Sequence, residues 1–109
     1  MFDYCKNLND VSFIKTWNTT NVTSLAYLFD YCNSLVTIDL SSFATGKVTS
    51  MASMFAYCYN LKTIVFPAGW STENVTSMAS MFHSCYSLRE ISGISSWNTG
   101  KVTSFSSMF

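Results

Sequence analysis

The chain has 109 residues, about one domain, which is long enough to bury a core without the help of disulfides or a metal. Six basic residues balance six acidic ones, so the basic stripe that phosphate binding requires is missing and nucleic acid is not an expected partner. Apolar residues make up 49% of the chain, but Ser, Thr and Asn interrupt them every few positions. No run reaches the roughly 20 apolar residues that cross a bilayer, so no membrane insertion is expected in this segment.

Read from its first residue, the sequence is one pattern written again and again. Met1-Phe2, Leu28-Phe29, Met54-Phe55, Met81-Phe82 and Met108-Phe109 open successive units at periods of 27, 26, 27 and 27 residues. This predicts a single repeat domain over 1–109, with units 1–27, 28–53, 54–80 and 81–107 and the start of a fifth at 108–109. Cys5, Cys32, Cys58 and Cys85 form one column; Val22, Val48, Val75 and Val102, each followed by Thr-Ser, form another. Met1 is followed by Phe-Asp-Tyr-Cys and not by a charged stretch and an apolar core, so no signal peptide is expected in this segment. Because a unit is interrupted at each terminus, neither end is expected to carry the polar cap of a repeat array. The alternatives are a segment of a longer array, or ends that dock onto something, including another copy end to end.

Each unit divides into two predicted pieces. Leu25, Leu28, Phe29 and Cys32 are spaced i, i+3, i+4, i+7, as are Met51, Met54, Phe55 and Cys58, and again Met78, Met81, Phe82 and Cys85. That spacing predicts an amphipathic helix of about two turns. Thr23, Thr49, Thr76 and Thr103, or the serines after them, are placed to cap its first amides. A strand is predicted after each cysteine, carried by Leu8, Val11, Phe13; Leu35, Ile38, Leu40; Leu61, Ile64, Phe66; and Leu88, Ile91, Ile94. The first, third and fourth units have one more residue than the second between strand and aromatic column, which a loop or bulge would absorb. Neither a two-turn helix nor a lone strand is stable in water, so the units must stack to fold. The expected fold class is α/β: a leucine-rich-repeat-like solenoid of about four strand-plus-short-helix repeats of 26–27 residues. Strands stack about 4.8 Å apart and helices roughly 8–10 Å apart, so the parallel strands should line a concave side.

Several columns invite a chemical reading. The four cysteines fit free, buried thiols, because neighbouring helices would hold them too far apart to bridge; disulfide or metal use is the alternative. No CxxC or Cys/His pairing supports zinc, and no metal or cofactor is expected. His83 shares a column with Asp3, Asp30 and Ala56 that should face solvent, and no nucleophile stands beside it. The aromatics Trp17, Phe43, Trp70 and Trp97 are either a buried spine or a sugar-stacking row. Asn18, Asn21 and Asn74 begin Asn-x-Thr strings, yet Lys47 and Lys101 fill the same column as Asn21 and Asn74, so capping explains the Thr better than glycosylation. The outward strand positions, Asp10, Ser12, Thr37, Asp39, Thr63, Val65, Glu90 and Ser92, are the expected ligand-contact surface, with a merely solubilising polar face as the alternative. Asp10 near the row of Asp39 would place like charges together unless a cation or a partner's basic group intervenes.

The recurring MFxxC, LxxIxL and (F/W)xTxxVTSM strings, best shown from Leu35 to Cys58, resemble the BspA-like leucine-rich-repeat surface proteins of bacteria, over the whole chain. The resemblance implies a solenoid on a cell-surface or extracellular protein, linked to adhesion and to host or matrix contact. The expected function is accordingly a non-catalytic module that presents its concave face to a protein or glycan ligand. A spacer or assembly element that makes contacts through its ends is the alternative. An enzyme is not expected, since no paired carboxylates, triad, phosphate loop or metal cluster stands outside the repeat positions.

Overall fold

The repeat period fixes which residue meets which. In the computed structural model, which describes residues 2–109, strands β1 (Thr37–Asp39), β2 (Thr63–Val65) and β3 (Glu90–Ser92) form a parallel sheet in the order β1-β2-β3. Thr37 pairs with Thr63 and Thr63 with Glu90, so each residue meets its own counterpart one unit on. Isolated parallel bridges join Ser24 to Ser50, Ser50 to Ser77 and Ser77 to Ser104 in the same register on another arc of the unit. Met1, which opens the first unit, lies outside the described residues.

The expected short helices are not there. Among the described residues the regular elements are the three strands and two 3-10 helices, Ser12–Thr16 and Ile94–Ser96. The segments read as helical are runs of turns. Leu25, Tyr27, Phe29 and Tyr31 donate their amides to the carbonyls of Ser50, Ala52, Met54 and Ala56 in the next unit, at 2.9–3.0 Å. The amides between them close short local turns, Leu28 onto Leu25 and Cys32 onto Phe29. Tyr27, Tyr31, Ser53, Tyr57, Ser80 and Ser84 sit at φ of 55–62°, which no right-handed helix tolerates. Consecutive turns therefore place Leu25, Leu28, Phe29 and Cys32 all inside, and the i, i+3, i+4, i+7 spacing arises without a helix. The reason lies in the backbone: left-handed residues every few positions turn alternate amides toward the next unit, so no ladder of bonds along the segment can form. Both arcs pair unit to unit, so the difference in spacing that would curve the strands onto a concave side is absent.

The remaining corners are turns as well. Phe43, Trp70, Trp97 and Trp17 each donate an amide three residues back, to Leu40, Pro67, Ile94 and Ile14. In the longer units the extra residue stands before this turn. In the first unit it draws Ser12–Thr16 into a 3-10 helix, which buries Ile14 and leaves Phe13 46% exposed, so the first predicted strand does not form. In the fourth unit Gly93, at φ 85°, occupies the place of Leu40 and Phe66, and Ile94 turns outward.

The interior is built of like side chains stacked on like. Phe2, Phe29, Phe55, Phe82 and Phe109 form a column with ring centroids 5.2–5.8 Å apart and nearly parallel planes. Leu35, Ile38, Leu61 and Ile64 lie beside it, all fully buried. At roughly 1.5–3 kcal/mol per large apolar side chain, this shared interior is what the separate turns lack alone. The threonines expected to cap helices link units instead: the amide and the hydroxyl of Thr49 both donate to Thr23 O, at 2.8 and 3.2 Å, and Thr76 and Thr103 repeat this. The serines after them cap locally, with Ala26, Ala52 and Ala79 donating to Ser24, Ser50 and Ser77 Oγ. No helix among the described residues is long and apolar enough to cross a membrane.

Candidate functional site

The strand face assembles much as its pattern demands. Thr37, Thr63 and Glu90 form one outward row and Asp39, Val65 and Ser92 the next, flanking the buried row of Ile38 and Ile64 and the half-buried Ile91. Asp10 and Ser12 belong to the irregular first unit and not to a strand, yet they border the same shallow depression as Lys15, Thr37 and Asp39. The cation that the sequence reading sought from outside is supplied by the chain itself. Lys15 Nζ stands 3.1 Å from Asp39 Oδ2. Hydrogen bonds from the Ser41 hydroxyl and amide, with Lys15 beside them, hold the Asp39 carboxyl down at about 2. Asp10 accepts the Ser12 amide at 2.8 Å, which lowers its carboxyl pKa.

The other columns resolve as follows. All four cysteines are free, but not for the reason of distance, since units pair at strand spacing on the arc that carries them. Each later thiol instead donates to the preceding unit: Cys32 Sγ to Phe2 O at 2.9 Å, Cys58 to Phe29 O and Cys85 to Phe55 O at 3.0 Å. Burial pushes the thiols of Cys32 and Cys85 up to about 11 and that of Cys58 higher still. These are core groups, poor as nucleophiles. Phe43 and Trp70 are 4% exposed and Trp17 and Trp97 partly covered, a spine with little ring face left for a sugar. The column of Asp3, Asp30, Ala56 and His83 does not all face water: Ala56 is 1% and Asp30 6% exposed, and His83 is half-buried, edge-on to Tyr57 at 5.2 Å. Asp30 Oδ1 is buried without a hydrogen-bond partner; burial first, then the charge of Asp3, raises its pKa. Asn21 accepts from Lys47 Nζ at 2.7 Å and Asn74 from Lys101 Nζ at 3.0 Å, so the alternation of Asn and Lys in that column is a ladder between units.

Two features escaped the sequence reading. Thr19 and Thr45 are buried and clasp the next unit, which the recurring Thr two residues after each column aromatic signals only once the partner carbonyl is known. The second is a band of tyrosines. Tyr4, Tyr31 and Tyr57 stack at 4.7 and 4.3 Å with planes within 16° of parallel; Tyr57 meets Tyr59 edge-on at 6.2 Å, and Tyr59 stacks on Tyr86 at 5.5 Å. Tyr4, Tyr31 and Tyr57 hold φ of 59–61°, a left-handed conformation that costs a bulky residue about 1–2 kcal/mol. Their signal was present, since the residue before the cysteine is Tyr in the first three units, but it is silent until the turns show that this position points out.

Units laid in register, with a strand face shared by the second to fourth and a band of outer tyrosines across all four, define a tandem-repeat protein. The chain belongs to the family described as Mycoplasma protein of unknown function, DUF285, whose model matches residues 1–66 and again 67–109. No curated protein and no solved structure matches the chain.

Proposed function

We propose that the chain is a non-catalytic interaction module: a BspA-like leucine-rich-repeat solenoid segment of a bacterial surface or extracellular protein that engages a protein or glycan ligand through its strand face. The observation that supports this is the in-register outward row Thr37, Thr63 and Glu90 beside Asp39, Val65 and Ser92, a flat, mostly polar surface repeated at strand spacing. Its Asp39 carboxylate is held in place by Lys15. Such a surface offers many weak, regularly spaced contacts and no enclosed chemistry, which suits recognition of an extended ligand. The test replaces Asp10, Asp39 and Glu90 together with Asn, Asn and Gln. Retention on surfaces coated with extracellular-matrix glycoproteins and on a glycan array should fall severalfold, well beyond the loss in Asp39→Asn alone, while a single cooperative melting transition shows the chain folded. Unchanged retention rejects this face.

A second reading, a spacer or assembly element acting through its ends, is favoured by the stacked column of Phe2, Phe29, Phe55, Phe82 and Phe109, whose rings repeat at 5.2–5.8 Å and present the same apolar face from unit to unit. Light scattering over a concentration series, with and without Met108-Phe109, separates the two. Self-association that disappears with the pair supports the second.

A further inference from the structure

The bonds that hold one unit to the next run along the stack. Met51, Ser53, Phe55 and Tyr57 donate their amides to the carbonyls of Ser77, Ala79, Met81 and His83 one unit on, at 2.8–3.0 Å. The strands pair Ile38 with Ile64 and Ile64 with Ile91 in the same direction. Chain order and stacking order coincide, since Phe2, Phe29, Phe55, Phe82 and Phe109 lie one above another as they follow in sequence. Tension that enters through the chain on either side of the stack therefore pulls along its axis. The chain leaves each rung at a single point of the perimeter, so the bonds nearest that point are loaded first and break one after another. The outermost unit peels while the rungs beneath keep their own bonds. No covalent link opposes this, because all four cysteines are free and none ties a unit to its neighbour.

We propose that the stack is an extensible tether, which releases one unit at a time under load and takes it back when the load falls. A unit of 26–27 residues extends to about 90 Å, against the roughly 4.8 Å it occupies as a rung. Recovery proceeds by the same steps, because each rung left in place presents its amides and carbonyls in the register on which the next unit rebuilds. The interfaces are alike in kind: Thr19 clasps Ala44 between the first and second units as Thr45 clasps Ser71 between the second and third. The proposal rests on the spacer reading and deepens it, since a tether that lengthens limits the force between whatever it joins, where a rigid rod transmits it. Self-association through the ends can fail in light scattering while the tether stands, and the reverse also holds.

The test holds the full chain by handles at its two ends in optical tweezers and records its length at constant force. Lengthening should come in steps of about 90 Å, one unit each. The last pair of rungs should part together, because so small a sheet is marginal alone. Lowering the force should shorten the chain by the same steps. Thr19→Val keeps the shape and removes both bonds of the clasp, at 3.1 and 2.8 Å, between the first and second units. It should shorten the dwell before one step about fivefold or more, and leave the step lengths and the other dwells as they are. Release of all 109 residues in a single step overturns the proposal. So does a chain that lengthens in steps but never regains them, or a Thr19→Val record in which every dwell shortens together.

Discussion

Thr45 donates its hydroxyl to Ser71 O at 2.9 Å and accepts the Ser71 amide at 2.8 Å, a two-bond clasp between consecutive units at a side chain 2% exposed. Thr19 makes the same pair of bonds with Ala44. Thr45→Val keeps the shape and strands an amide and a carbonyl in the interior, so it should cost about 1–3 kcal/mol. The measurement is the urea midpoint, which should fall with an unchanged slope. A midpoint equal to that of the parent would mean the clasp adds nothing.

Ser53 distinguishes turns from helices. At φ 55° its amide donates to Ala79 in the next unit, not four residues back. In a helix, Ala at this place would be better than Gly by about 1 kcal/mol; in a left-handed turn the order reverses by a similar amount. Ser53→Gly should therefore unfold at a higher temperature than Ser53→Ala. The opposite order would restore the helix.

Two carboxyls give the stability opposite pH dependences. Asp30, raised above its ordinary 3.8 by burial and Asp3, binds its proton more tightly folded than unfolded. Its ionisation costs stability as pH rises through and above 3.8, so Asp30→Ala, copying Ala56 one unit on, should stabilise the chain near neutral pH and lose that advantage in acid. Asp39, lowered from 3.8 to about 2 by Ser41 and Lys15, stabilises the fold above 3.8 and loses this as pH falls toward 2. Asp39→Asn should therefore lower the melting temperature at neutral pH and not at pH 2. Parallel pH profiles for the two variants would contradict both environments.

Cys58 is fully buried, donates to Phe29 O and has its thiol pKa pushed up. Its modification by an aromatic disulfide reagent should proceed only as fast as the chain opens, and accelerate with urea in step with unfolding. Rapid labelling of Cys58 in the native chain would show that its column is open.

The period was legible because like residues recur at fixed distances, and it correctly pairs Thr37 with Thr63 and Ser50 with Ser77. Which side of a segment faces inward was also legible from Leu25, Leu28, Phe29 and Cys32. The helix reading failed because that spacing is shared by consecutive turns, and nothing local marks Tyr27 or Ser53 as left-handed without a glycine. In the first unit the same logic misplaced Phe13, since one added residue shifts the buried position to Ile14. On the strand face, Thr37, Thr63 and Glu90 share a row as their period requires, whereas Asp10 and Ser12 stand in the irregular first unit and the Lys15 to Asp39 contact joins different units, with no sequence spacing to announce it.

By itself the sequence determined a stack with one apolar interior and the register between its units, because identical side chains in successive units are buried best on top of one another. Only the tertiary structure decided that amides on the second arc bond to the neighbouring unit and not along a helix. The physical reason is hydrogen bonding: with Tyr27 and Ser53 left-handed, their amides bond to Ala52 and Ala79 of the next unit, which holds the second arc at the rung height of the strands. That choice carries the tyrosines outward and the thiols onto carbonyls.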